Sequence, residues 1–177
     1  AQAMQIPSVP LVVAVIDVDN RAHLYAVPSG ALLCTIAHSQ PIDALAFDAD
    51  GERLLSGSRD QTARLWRIER DGTTGAMTAR EVRTFVGHGK EVTHVAFDKS
   101  GLYVVTAGGD GVLRVFDASN DSATKGVELM RFEVGAAVVE ATFAPDGPRI
   151  LAQVGNQKAL VWDFADTRGV VTLRQRG

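Results

Sequence analysis

The chain has 177 residues, 46% of them hydrophobic and 22% charged, which supplies a sizeable core and excludes a disordered polymer. Its formal net charge of -3 and pI of about 5.8 argue against non-specific nucleic-acid binding, which needs a basic field. Its one cysteine, Cys34, excludes an internal disulfide and points to a reducing compartment.

The N-terminal stretch AQAMQIPSVPLVVAVID has no basic region, and Pro7 and Pro10 interrupt its apolar run. It makes a poor signal peptide and is too short for a membrane span. The first residue is not Met, so the chain reads as processed or as an excerpt from a longer protein. Leu11 to Ile16 and Ala22 to Val27 are strand candidates, followed by a Pro28-Ser29-Gly30 turn and an outer strand, Ala31 to Ile36. Cys34 sits in that apolar strand, where packing is the expected role.

The segment from Ile36 to Ile68 organises the rest. It reads IAHSQPIDALAFDADGERLLSGSRDQTARLWRI: three short strands separated by turn signals at Asp50-Gly51 and Asp60-Gln61. The pattern returns in Val86 to Ala118 (VGHGKEVTHVAFDKSGLYVVTAGGDGVLRVFDA) and in Phe132 to Phe164 (FEVGAAVVEATFAPDGPRILAQVGNQKALVWDF). Asp60, Asp110 and Asn156 each stand six residues before an aromatic, Trp66, Phe116 and Trp162. Asp19 and Tyr25 fall on the same ruler, and the period is roughly 40–50 residues. Ser100-Gly101 and Asp146-Gly147 match Asp50-Gly51, where a tight hairpin needs the positive φ that glycine accepts. Surplus residues are expected in surface loops between repeats, Glu69 to Thr78 and Ser119 to Lys125. Gly72 and Gly75 argue against a helical turn there.

These repeats resemble the WD-repeat (Trp-Asp repeat) β-propeller family. The resemblance implies an all-β propeller of four-stranded antiparallel blades, about three and a half to four in this chain. Blade 1 is partial, 6–36, with no innermost strand. Blade 2 spans about 40–87, blade 3 about 90–134, and blade 4 about 136–174 with Val170 to Arg174 as its outer strand. The family's buried His, Asp, Ser/Thr and Trp network, carried over by position, is His38-Asp60-Ser56-Trp66 in blade 2. In blade 3 it is His88-Asp110-Thr106, with Phe116 in place of Trp. Blade 4 keeps only Asn156 and Trp162, since Ala152 replaces Ser, and apolar packing is expected to hold it. Blade 1 keeps only Asp19 and Tyr25.

Other readings of the same residues are weaker. Ser56, His38 and Asp60 suggest a hydrolase, but Thr106 replaces Ser in the next copy and the set recurs once per blade. His88 and His94 lie six apart, and His23 and His38 have no acidic or thiol companion at ligand spacing, so no metal site is expected. Asp48-Ala49-Asp50-Gly51-Glu52 touches a calcium-loop pattern, but turn chemistry explains it. Ala107-Gly108-Gly109-Asp110-Gly111 is glycine-rich, yet neither a Lys-Ser/Thr pair nor a helix follows. Asn120-Asp121-Ser122 has the spacing of a glycosylation sequon and reads as a loop.

The resemblance implies a non-enzymatic protein–protein interaction scaffold or adaptor, cytoplasmic, with no catalytic residue, cofactor or metal, and with protein partners rather than a membrane or nucleic acid. The alternative is an accessory propeller domain excerpted from a larger enzyme or signalling protein. In the family the narrow face commonly docks partners. By position that face offers Pro41, Asp43 and Arg59; Glu91, Thr93 and Gly109; and Ala137, Val139 and Gly155. The blade count also implies that the chain does not close on itself. It is then part of a larger propeller of about seven blades, or completed by self-association or a second chain.

Overall fold

The computed structural model describes residues 11–27, 29–119, 126–145, 149–155 and 158–163. Four antiparallel sheets follow one another along the chain, and every regular element among the described residues is a strand. Blade 1 holds β1 (Val12–Ile16), β2 (Ala22–Ala26) and β3 (Leu32–Ile36), paired in that order. Blade 2 holds β4 (Ile42–Phe47), β5 (Arg53–Ser58), β6 (Ala63–Arg70) and β7 (Met77–Phe85). Blade 3 repeats it with β8 (Val92–Phe97), β9 (Tyr103–Gly108), β10 (Val112–Asp117) and β11 (Glu128–Glu133). Blade 4 shows β12 (Val138–Phe143), β13 (Arg149–Val154) and β14 (Lys158–Asp163). Residues 6–10, Asn120-Asp121-Ser122, the turns at Asp146-Gly147 and Asn156-Gln157, and Val170 to Arg174 lie outside the described residues.

Each blade is only one layer thick, so its apolar residues are buried by its neighbours. Ala22, Leu24 and Ile36 of blade 1 meet Ile42, Leu54, Trp66 and Met77 of blade 2. Leu55, Ala63, Leu65 and Phe85 of blade 2 meet Val92, Val104 and Phe116 of blade 3. Val105, Leu113 and Phe132 of blade 3 meet Phe143, Ile150 and Trp162 of blade 4. The inner strands β4, β8 and β12 stand side by side through this stack. Trp66 and Trp162 are both buried between blades, and Trp162 stacks on Phe132 with ring centroids 5.2 Å apart.

Two arginines clamp blade 2 to blade 3. Arg53 Nε donates to Asp48 Oδ2 at 2.7 Å, and its two amino groups donate to the carbonyls of Ala118 (3.1 Å) and Gly101 (2.8 Å). Its guanidinium also lies over the Phe97 ring. Arg83 reaches the Asp117 carbonyl at 3.2 Å. Asp48 is buried and also accepts the Arg53 backbone N–H, so it anchors the first hairpin of blade 2 as a turn residue. Gly51 and Gly101 close these hairpins at φ of 72° and 69°.

The positions of the surplus residues differ from expectation. Glu69, Arg70, Met77 and Thr78 are strand residues of a lengthened β6–β7 hairpin inside blade 2, and only 71–76 form its tip. Asp71 accepts the N–H groups of Thr73 and Thr74, which folds that tip. The described end of the Ser119 to Lys125 stretch likewise lies between β10 and β11 of one blade, not between blades. An aromatic ruler fixes the third strand of each blade. It leaves open which side of the fourth strand carries an insertion.

A buried network beneath a candidate interaction face

In blade 2 the loop from β3 to β4 lowers His38 into the sheet, where its side chain is fully buried. His38 Nδ1 lies 3.0 Å from Asp60 Oδ2, and Nε2 lies 2.6 Å from Ser56 Oγ. Trp66 Nε1 donates to the same Ser56 Oγ at 2.8 Å. One set of protons satisfies the whole chain. The indole donates to Ser56, Ser56 O–H donates to Nε2, and Nδ1–H donates to Asp60. The expected order is therefore corrected: histidine stands between the acid and the hydroxyl, because its two ring nitrogens face opposite ways. Blade 3 repeats this, with His88 Nδ1 3.1 Å from Asp110 and Nε2 2.8 Å from Thr106 Oγ1. Phe116 has no donor, so the relay ends at Thr106.

Burial pushes the pKa of His38 and of His88 down, against the pull of their aspartates. Burial pushes Asp60 up, but the Thr62 hydroxyl, His38 and the Thr62 N–H outweigh it and hold Asp60 at about 2. Asp110 is also lowered: the Gly89 N–H, His88 and the Val112 N–H overcome its burial. The working state is a carboxylate beside a neutral imidazole.

Sequence reasoning missed an outer extension of this network. Arg64 donates to Asp60 Oδ2 (3.3 Å) and to Glu81 Oε2 (3.1 Å). Arg114, at the matching place in blade 3, bridges Glu128 and the Gly87 carbonyl. The signal for the arginines was present, since each stands two residues before Trp66 or Phe116. Glu81 and Glu128 pair with those same aromatic positions across the sheet, but hairpins of different length separate them in sequence.

Blade 1 departs from expectation. Asp19 is exposed in the β1–β2 turn beside Asn20, whose φ is 61°. The polar pairing falls instead on His23, which the sequence had left without an acidic companion. Its Nε2 lies 2.7 Å from Asp17 Oδ2 and its Nδ1 2.8 Å from Thr35 Oγ1. Asp17 sits on the preceding strand end, outside the repeat spacing. Tyr25 lies beside His23, ring centroids 6.2 Å apart. In blade 4, Ala152 and Trp162 sit in the apolar core with blade 3, while Asn156 lies outside the described residues.

Above the network runs a rim built by one repeated backbone bond. Arg59 N–H donates to Pro41 O (2.9 Å), Gly109 N–H to Glu91 O (2.9 Å), and Gly155 N–H to Ala137 O (3.2 Å). This bond brings the residue before each turn against the start of the inner strand. At the rim, Arg59 Nε lies 3.0 Å and 3.1 Å from the two Asp43 carboxylate oxygens, with its side chain 61% exposed. Asp43 and the nearby Glu91 both pull the Arg59 pKa up. Val139 is exposed on blade 4, and Val18 is 95% exposed at the matching turn of blade 1. Thr93 is turned inward, its hydroxyl donating to the Ala107 carbonyl at 3.3 Å. His94 is half-buried and feels the Glu140 charge of blade 4. Among the described residues, no group of three or more His, Cys, Asp or Glu side chains is placed to hold a metal ion.

The sequence matches the family pattern "WD domain, G-beta repeat" at residues 30–67 and 79–117. Those spans take in β3 to β5 and most of β6, then most of β7 and all of β8 to β10, with both histidine networks. The chain belongs to the WD-repeat family. It is similar to THO complex subunit 3 of Arabidopsis thaliana, 34% identical over 68% of this chain and 35% of that protein. It is similar to Pre-mRNA-processing factor 19 of Oryza sativa subsp. japonica, 30% identical over 86% of this chain and 28% of that protein. It also resembles a WD repeat-containing protein 26 homolog of Arabidopsis thaliana, 27% identical over 82% of this chain and 23% of that protein. This WD-repeat chain thus spans 23% to 35% of the length of these relatives.

Proposed function

We propose that this WD-repeat chain is a non-enzymatic scaffold or adaptor that binds protein partners through the rim carrying Pro41, Asp43, Arg59, Glu91, Thr93 and Val139. The observation that carries the reading is the repeated backbone bond. It fixes a row of differing side chains on a rigid edge, while the geometry that repeats between blades 2 and 3 lies below it, buried. A surface of that kind can vary its chemistry without cost to the fold.

The Ser–His–Asp geometry supports a structural role over a hydrolytic one. Ser56 is fully buried and its oxygen already accepts the Trp66 indole. A nucleophile needs that oxygen open to substrate. The alternative of an accessory propeller domain within a larger enzyme or signalling protein draws support from the length of the relatives, which exceeds that of this chain. A reducing, cytoplasmic setting belongs to the same proposal, on the strength of the unpaired Cys34.

The test is capture from the source cell with wild-type chain and an Arg59→Glu variant whose circular dichroism is unchanged. Loss of the same specific partners from the variant is the expected result. An identical partner set would move the binding surface off this rim.

A further inference from the structure

We infer that the Glu91 carboxylate, which lies over Gly109, is a seat for a cationic side chain of the partner, an arginine or lysine on a basic peptide segment. This rests on the rim being the docking face.

Three copies of one local arrangement carry different side chains. The backbone bond from the pre-turn residue to the inner strand joins Arg59 to Pro41, Gly109 to Glu91, and Gly155 to Ala137. In blade 2 the pre-turn residue is itself a cation, and the neighbouring acid, Asp43, holds it through both carboxylate oxygens. In blade 4 both places are small and uncharged. Only blade 3 sets an acid against a glycine. The Glu91 carboxylate lies in the space where a Cβ on Gly109 would stand. Among the described residues it has no hydrogen bond and no ion pair, and Lys90 beside it in sequence is exposed and makes none with it.

Charge decides the sign of the guest. Arg59 is near enough to feel Glu91, but its Nε is committed to Asp43. Asp43 and Glu91 therefore face one cation, and the local balance is one negative charge in excess. A partner carboxylate would meet two like charges. A guanidinium or ammonium would take the half-buried Glu91 carboxylate as Arg59 takes Asp43, and such charge-assisted pairing sets partner choice more than it sets raw affinity. Gly109 supplies the room in which the Glu91 carboxylate lies. Its φ is not in the left-handed region, so alanine is tolerated by the backbone there, but its methyl would push the flexible Glu91 carboxylate out of place.

The test uses a phage-displayed library of random dodecapeptides selected on the intact 177-residue chain. Selected peptides are resynthesised with each arginine replaced by citrulline, its neutral isostere, or each lysine acetylated. Affinities are measured on wild type, Glu91→Gln, Gly109→Ala and Arg59→Glu. The expected result is that one cation of the peptide is needed. Neutralising it weakens binding at least tenfold on wild type and has little effect on Glu91→Gln. Gly109→Ala, which keeps every charge, should weaken the same peptides. Peptides lost on Arg59→Glu but indifferent to their own cations, or binding Glu91→Gln and Gly109→Ala as wild type, overturn the cation seat and leave the rim standing as a docking face. Peptides indifferent to all three variants, or no enrichment, overturn both.

Discussion

Ser56 accepts the indole N–H of Trp66 at 2.8 Å, whereas the matching pair in blade 3 is Thr106 and Phe116, between which no such bond can form. Both aromatics are buried between blades, Trp66 against blade 1 and Phe116 at 4.9 Å from the Phe85 ring. The indole thus contributes burial first and a hydrogen bond second. Trp66→Phe is expected to cost about 0.5–1.5 kcal/mol, since Ser56 keeps its bond to His38. Trp66→Ala is expected to cost about 3–5 kcal/mol through lost burial and a cavity. Urea titrations check both, and equal costs would contradict this division.

Removing the middle of the relay or its acid end leaves a buried group unsatisfied. His38→Ala or Asp60→Ala should each destabilise the chain by about 1–3 kcal/mol. An unshifted urea midpoint for either variant would take that residue out of the load carried by blade 2.

The titration of the network gives stability a direction in pH. His38 and His88 have pKa values lowered by burial, so in the folded chain they stay neutral where the unfolded chain binds protons. Their contribution is complete above the ordinary histidine pKa of about 6.5 and is lost as pH falls through the folded value. Asp60, held at about 2, adds a contribution present above the ordinary aspartate range and lost as pH falls toward that value. The midpoint of thermal unfolding is expected to fall steadily from pH 7 to pH 4, and less steeply in a His38→Gln, His88→Gln double variant. Equal slopes would contradict the assignment.

Arg53 binds two carbonyls of blade 3 and the Asp48 carboxylate of its own blade. Lysine has one ammonium on a flexible stem and cannot reproduce that planar fork. Arg53→Lys is therefore expected to recover little of the loss caused by Arg53→Ala, about 1–3 kcal/mol. Full rescue by lysine, seen in chemical denaturation, would reduce the clamp to a plain charge pair.

Among the described residues β1 is an edge strand, with Val13 and Val15 each nearly half exposed and Leu11 beyond them. At the other end, Glu140, Thr142, Leu151, Gln153, Ala159 and Leu160 line an open cavity of about 270 Å³ on blade 4. An edge with alternating valines invites pairing. The isolated 177-residue chain is expected to self-associate and to bind a hydrophobic dye. Light scattering that gives a monomer of 18.9 kDa, with no dye bound, would contradict this.

The blade pattern was legible in the sequence because three features recur together: a glycine in the first turn, an Asp or Asn in the second, and an aromatic at fixed distance. The hydroxyl, histidine and acid of blades 2 and 3 lie on that ruler, and the structure brings them within hydrogen-bond distance. Glu81 and Glu128 were not legible, because hairpins of unequal length detach the outer strand from the ruler. Asp17 and His23 were hidden for a different reason. Blade 1 puts Val15 where blade 2 has Ser56, and its polar pairing lies further out on the same sheet face, between His23 of β2 and Thr35 of β3. The arginine clamps join residues far apart in sequence and leave no local trace.

The docking role of the rim is tested most directly by where a partner touches it. Hydrogen exchange, followed by mass spectrometry, should be compared for the free chain and for the chain bound to a partner captured from the source cell. The expected result is added protection of peptides covering Pro41 to Asp43, Arg59 and Glu91 to Thr93, with β11 and the β6–β7 hairpin tip unchanged. Protection confined to that hairpin tip or to the outer strands, with the rim exchanging as in the free chain, would contradict the account.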